Sequence, residues 1–213
     1  MRPSQICQRQ LRLLCLSATI AVLTLAPARA HEQPTTTPAA RFLQHTLETA
    51  LGLVRPPMTT GTGRDLDALI RDSMDWPGLT QFAIGHYRAD LDSEGVDGVR
   101  TRIAQQLADL ARRAGVAFPT MTLAVHDMRI DRDGNRHVLC LATLPKFGEV
   151  EVDWTLAPAP GGGYRVSDIA AFGLTLKQFL RGWIASLVAA QGGDAATAFE
   201  AAPSPPKPAS SPQ

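Results

Sequence analysis

Cysteine is scarce in this chain: Cys7, Cys15 and Cys140 are all it has. So few thiols make no disulfide framework, and the fold must stand on its own hydrophobic core. An excess of one charge is missing as well, since 21 Lys and Arg meet 20 Asp and Glu. That balance excludes a polybasic nucleic-acid arm or an acidic solvating tail as the main theme. Metal-ligand spacing is absent: His31, His45, His86, His126 and His137 are scattered, and none is spaced as a ligand pair with another His or with Cys. No Walker loop, nucleophile elbow or HExxH helix occurs. Gly161-Gly162-Gly163 leads into no helix, so it reads as a turn and not as a phosphate cradle. The longest apolar run, Leu13 to Leu25, has only about a dozen residues and is too short for a comfortable membrane span.

That run sits in a recognisable setting. Arg2, Arg9 and Arg12 precede it without acids, and Ala28-Arg29-Ala30 follows with small residues flanking the middle one. Residues 1–30 therefore read as a secretory signal, with cleavage expected after Ala30. The product begins at His31, loses Cys7 and Cys15, and carries 17 basic and 20 acidic residues, a net charge of −3. Cys140 then remains alone within an apolar run, where a buried, inert thiol is expected.

Residues 31–38 read as a flexible leader and residues 39–202 as the folded domain. Phe42, Leu43, Leu47, Ala50, Leu51 and Val54 recur at helical spacing up to Pro56-Pro57. A Thr/Gly loop is expected through Gly63, and Leu66, Leu69 and Ile70 mark a short helix. Asp75 reads as an N-cap, with Pro77 just inside the next helix. Val96, Val99, Ile103, Leu107, Leu110 and Ala114 then form one stripe of an amphipathic helix that Gly115 is expected to end. From Thr120 the period changes from 3.6 to 2. Strands are expected at Thr120–Ile130, Arg136–Leu144, Glu149–Leu156 and Tyr164–Ala171, joined by short turns as an antiparallel meander. In the third, Val150, Val152, Trp154 and Leu156 alternate with Glu149, Glu151, Asp153 and Thr155. A last helix over Thr175–Ala190 carries Leu176, Phe179, Leu180, Trp183, Ile184, Leu187 and Val188. A short helix near Ala195–Ala202 and a disordered Pro-rich tail, residues 203–213, complete the chain. The fold class is α+β: N-terminal helices, a four-stranded antiparallel meander and a closing C-terminal helix.

Reactive groups are few. Asp168, between Val166 and Ile169, is the best candidate for an acid–base residue in an apolar cavity. The plainer reading is that it caps a neighbouring backbone or pairs with an Arg. His126 and Asp127 are adjacent on a strand and point to opposite faces, so they form no catalytic pair. No catalytic residue, metal site or cofactor is assigned. The apolar surplus is more informative: for a domain of about 160 residues, the last helix and both faces of the second strand are rich in large aliphatics. An internal cavity accounts for that surplus. Its walls are expected to be Val150, Val152 and Trp154 on the third strand, Ile103, Leu107 and Leu110 on the long helix, and Phe179 and Trp183 on the last helix.

Two stretches then carry a resemblance. Tyr164-Arg165-Val166-Ser167-Asp168-Ile169, followed by Phe172-Gly173-Leu174-Thr175-Leu176 and Arg181, resembles the late motif of the MlaC family, which runs roughly W-x-V-x-D-V and then E-G-V-S-L-V-x-N-Y-R. Met74-Asp75-Trp76, with Leu79, Phe82-Ala83 and Gly85-His86-Tyr87, is similar to an upstream block of that family. The resemblance spans residues 40–200. It departs at Tyr164, at Ala171-Phe172 and at Phe179-Leu180, and keeps Arg181. The family comprises toluene-tolerance or phospholipid-transport auxiliary proteins of the Gram-negative periplasm. The resemblance implies a soluble periplasmic carrier of phospholipid, or of a hopanoid-like lipid as in the HpnM type. It implies partners in an inner-membrane ABC transporter complex and an outer-membrane lipoprotein complex, and no enzymatic activity. The alternatives are a small-molecule enzyme of similar cone-shaped fold using Asp168, and a non-catalytic adaptor with a filled core.

Overall fold

The computed structural model describes residues 37–199 except residue 146. The expected signal, residues 1–30, the tail, residues 203–213, and most of the expected leader lie outside the described residues. Helix α1 spans Pro38–Val54, α2 Thr60–Ser73 and α3 Trp76–Ile84, followed by a 3₁₀ turn over Gly85–Asp90 and the long α4, Ser93–Ala117. The strands are β1 Thr122–Ile130, β2 Arg136–Leu144, β3 Gly148–Pro158, β4 Tyr164–Ala171 and the two-residue β5, Leu174–Thr175. Helix α5, Leu176–Ala190, and the short α6, Ala195–Phe199, close the described chain. The class is α+β.

Helix starts are written in side chains. Thr37, Thr59, Asp75, Asp92 and Thr175 each accept a backbone N–H from the first turn of the helix that follows. Each thereby satisfies a donor that has no partner within the helix. At Thr59 and Thr175 the bond is reciprocal, because the Thr62 and Gln178 side chains bond back to the cap. The expected Thr/Gly loop before Gly63 is therefore the first turn of α2: the Thr59–Thr62 box outweighs the low helix propensity of Gly61 and Gly63. Gly115 does not end α4, which continues to Ala117. It lies inside the helix where α1 crosses, and a Cβ there would overlap the Val54 carbonyl oxygen.

The sheet is an antiparallel meander in the order β1-β2-β3-β4-β5, one short strand more than expected. Two bulges set which residues face the helices. In β1, Val125 pairs with Cys140 and Asp127 with Leu139, leaving His126 as the extra residue. The strand changes phase there, so Met128 follows Val125 on the inner face and Asp127 turns away. In β4, Thr155 pairs with Asp168 and Leu156 with Val166, leaving Ser167 as the extra residue. Val166 and Ile169 then both face inward, although they are three positions apart.

The filled core gathers Leu43, Leu79, Val99, Ile103, Val138, Leu156, Leu180 and Ile184 with Phe199 of α6. Cys140 is in this core and fully buried; burial, helped by the Asp153 carboxylate, pushes its thiol up to about 12. It is an inert thiol.

Candidate functional site

Beside the filled core the helices and sheet enclose a chamber of about 640 Å³. Helices α1, α2 and α4 supply Leu47, Ala50, Leu66, Leu69, Ile70, Leu107, Leu110 and Ala111 to its wall. Strands β3 and β4 supply Trp154, Val166 and Ile169, and α5 supplies Leu176 and Phe179. Among the described residues, the polar side-chain groups on its wall are the hydroxyls of Thr46, Ser73 and Thr175 and the indole N–H of Trp154, so the space is largely apolar and carries no ionisable side chain. Its volume lies within the range of about 300–1,000 Å³ usual for ligand pockets.

A second chamber of about 330 Å³ lies next to it, lined by Leu51, Val54, Ala114, Phe118, Met121, Leu123, Ala142, Leu144, Val150 and Val152. The two share Leu47, Ala50, Ala111, Trp154 and Phe172. Phe172, at the β4–β5 turn, is 82% exposed, and Leu174 and Leu110 beside the larger chamber are 50% and 36% exposed. These three side chains edge the larger chamber where it meets solvent. The Trp154 indole N–H is buried and finds no acceptor among the described residues.

The expected wall residues are distributed as follows. Leu107, Leu110 and Phe179 face the larger chamber, Val150 and Val152 the smaller, and Trp154 both. Ile103 and Trp183 line neither. Ile103 is one helical turn too far toward the filled core and is fully buried there, and Trp183 packs half-buried against that core. Sequence reasoning missed the whole contribution of α2, together with Phe172 and Leu174 at the rim. The spacing of Leu66, Leu69 and Ile70, joined to the Thr59-x-x-Thr62 cap, was the available signal for α2. The bulge at Ser167 that brings Ile169 inward had none.

Asp168 is not in either chamber lining, which corrects the idea of an acid–base residue inside the cavity. It pairs across the sheet with Thr155, on the face opposite to the Trp154–Ile169 pair. Its carboxylate accepts the backbone N–H of Lys177 at 3.1 Å and that of Ile169 at 2.9 Å. The first of these caps the start of α5. His126 is exposed on β1, and His86 is exposed against the Tyr87 ring, 4.0 Å between centroids. Among the described residues no group of three His, Cys, Asp or Glu is placed to hold a metal ion. On the outer face of the sheet, Asp153 takes a 2.6 Å bond from Arg129 and a 3.2 Å bond from His137, whose other ring nitrogen lies 3.4 Å from Asp131. This cluster pins β1, β2 and β3 together and faces away from both chambers.

Comparison with solved structures places this architecture. The chain shares the fold of a bacterial phospholipid-binding protein. That protein is from Ralstonia solanacearum and was solved in complex with a phospholipid; it aligns with a TM-score of 0.56 at 20% identity, over 75% of this chain and 92% of its own. No family model and no curated protein matches the chain.

Arg181 holds α3 and α5 together. Its guanidinium lies 4.2 Å from the Phe82 ring centroid, and its Nε donates to the Phe82 carbonyl at 3.1 Å. Arg165 ties β4 to the end of α2 through the Asp72 carbonyl at 2.7 Å. The backbone of Asp75 bonds the Val166 carbonyl at 2.9 Å. Helices and sheet are thus fixed to each other around the open space rather than through it.

Proposed function

We propose that this protein is a periplasmic lipid carrier, the soluble component that moves phospholipid or a related lipid between an outer-membrane lipoprotein complex and an inner-membrane ABC transporter. The observation that carries the reading is an apolar chamber without ionisable groups, open at one edge, in a domain whose other end is tightly filled. Transfer of hydrocarbon from water is worth about 0.8 kcal/mol per methylene. A dry, roomy cavity is therefore sufficient to hold an acyl chain, and the polar head group stays at the open edge. The shared fold with a phospholipid-binding protein supports the same reading. The N-terminal pattern of residues 1–30 supports export.

The deciding experiment is mass spectrometry of organic extracts from protein purified after export. Lipid at about one molecule per chain is the expected result. Protein that folds and carries no lipid in any preparation would leave the adaptor reading. N-terminal sequencing of the exported product is expected to begin at His31; a product that begins at Met1 would remove the periplasmic assignment.

A further inference from the structure

Strand β3 outruns its neighbour on one side. It spans Gly148–Pro158, and β2 pairs with it back to Gly148. On the other side, pairing with β4 begins only at Asp153, opposite Ala170. Strand β5 gives no cover there, because it lies on the far side of β4. Residues 148–152 therefore form an open sheet edge, with a length of about 17 Å. In an antiparallel strand every second residue turns its N–H and C=O toward the same neighbour. Among the described residues no backbone bond from another element reaches this edge on its open side.

Such an edge is a template for any extended chain, and proteins blunt it with a bulge, a proline or a lysine. At the opposite border of the sheet, β1 has a bulge at His126. The 148–152 edge has none of the three. It carries Glu149 and Glu151, both exposed on the outer face. Across the ladder on β2 they meet Thr143 and Leu141, so neither finds a cation there. On the inner face Val150 and Val152 are half-buried in the wall of the smaller chamber. An exposed phenylalanine stands at each end of the edge: Phe147, 71% exposed, just before Gly148, and Phe172, 82% exposed, just past the end of β4. A second copy of the chain is a poor occupant. An antiparallel copy centred on Val150 sets Glu149 against Glu151 twice, and like charges directly opposite destabilise a strand pair.

We propose that residues 148–152 are a docking edge for an extended segment of a partner protein that alternates Lys or Arg with apolar side chains. The main chains of the two strands bond to each other, and the side chains supply the selection. Basic groups on the incoming strand meet Glu149 and Glu151 on the outer face. Its apolar groups continue the inner face of Val150 and Val152, between the two phenylalanines. The incoming strand extends the line of β4 past Phe172, at the solvent edge of the larger chamber. The edge is defined by unpaired backbone and uncompensated charge, so it stands apart from the carrier reading.

The test uses the exported protein and three short synthetic peptides: one alternating Lys and Val, one of the same composition with the lysines in a single block, and one alternating Glu and Val. Affinity is read by fluorescence anisotropy and the place of binding by amide exchange. The alternating Lys–Val peptide is expected to bind about tenfold or more tighter than either of the others. It is expected to slow exchange at alternate amides within residues 148–152, those that face the open side. The double variant Glu149→Lys, Glu151→Lys changes two exposed positions and is expected to reverse the preference toward the Glu–Val peptide. If that variant does not fold, the three peptides on the wild-type protein still decide the point. Equal binding of the alternating and blocked Lys peptides overturns the proposal, because charge alone then accounts for the affinity. Failure of the alternating peptide to bind, or protection confined to other residues, overturns it as well. Edge amides protected in the free protein also overturn it: protection that grows with protein concentration gives the place to a second copy, and protection independent of concentration gives it to the chain itself. Lipid content is measured separately by extraction, so each of these results leaves the carrier reading as it stood.

Discussion

Helix α4 turns one apolar stripe inward along its whole length, yet the two halves of that stripe meet different surroundings. Val99 and Ile103 are fully buried in a core closed by Leu180 and Ile184 of α5 and by Phe199 of α6. Leu107, Leu110, Ala111 and Ala114, one to three turns further on, face the chambers. The same change runs along α1, from buried Leu43 to chamber-lining Ala50, and along α5 in the opposite sense, from Phe179 to Ile184. Two features account for it. At the filled end the short α6 caps the layer, and Gly98 lets the Phe199 backbone approach α4 so closely that a Cβ would strike its carbonyl. At the open end, Ala50, Ala111 and Ala114 stand where larger side chains would occupy the space. The lesson is that burial and filling are separate properties of an apolar face.

The largest effect expected from this contrast is the response to a charge. Ile103→Glu puts an unpaired carboxylate in the filled core, at a cost of several kcal/mol, enough to unfold a domain of typical stability, about 5–15 kcal/mol. Val152→Glu places the same charge on the wall of the smaller chamber, where water reaches it when no ligand is bound. The second variant is expected to fold, with a lower melting temperature and little bound lipid. Circular dichroism and lipid extraction on the pair check this, and an unfolded Val152→Glu protein would show a filled core there.

Truncation is the next step down. Leu180→Ala, from a side chain with no exposed surface, is expected to cost about 2–5 kcal/mol because it adds a cavity to a packed layer. Leu110→Ala, at a position already 36% exposed, is expected to cost under about 1 kcal/mol. Equal losses in urea unfolding would erase the distinction between the two ends.

A smaller pair tests the helix crossing. Gly115→Ala must displace Val54 and is expected to destabilise by about 1–3 kcal/mol. Gly182→Ala, on the exposed side of α5 with nothing near its Cβ position, is expected to stabilise by up to about 1 kcal/mol. Thermal melts of the two should therefore move in opposite directions.

The smallest effect belongs to the β1–β2 turn, which lines neither chamber. The Asn135 side chain is the main cause that holds the Asp131 carboxyl below the usual carboxylate range, with backbone bonds from Asn135 and Asp133 and a contact from His137 adding to it. A carboxyl whose pKa is lower in the folded state stabilises that state above its unfolded pKa, near 4, and loses the effect as pH falls through the lowered value. The protection of the turn's amides, taken relative to their intrinsic exchange rate at each pH, is expected to fall in that acidic window in the wild type. Asp131→Asn should show no such pH step.

Much of the architecture was legible before any coordinates. Alternating Val150, Val152 and Trp154 against acids marked β3 and its inner face, because a one-residue slip would bury three carboxylates. Asp75 and Pro77 marked the start of α3 through simple backbone chemistry. The α2 start was missed because two glycines outweighed, on inspection, a Thr-x-x-Thr cap that only reciprocal bonding makes decisive. Asp168 bears out its plainer reading, a carboxylate that caps a neighbouring backbone, and not the acid–base alternative. Its apolar neighbours Val166 and Ile169 suggested an inward carboxylate, and the unpaired Ser167 re-phases the strand so that the neighbours point in and Asp168 points out.

The amino-acid sequence by itself determined the elements, their caps and which face of each excludes water, since periodicity and capping are local and each residue reports its own exposure. It did not determine where those faces meet side chains and where they meet open space. That depends on the summed volumes of residues from α1, α2, α4, the sheet and α5, far apart in the chain and brought together only by folding. The same holds for the lining that the two chambers share. Leu47, Ala50, Ala111, Trp154 and Phe172 have no common spacing, and they come together only because the fold brings α1, α4, β3 and the β4–β5 turn to one place.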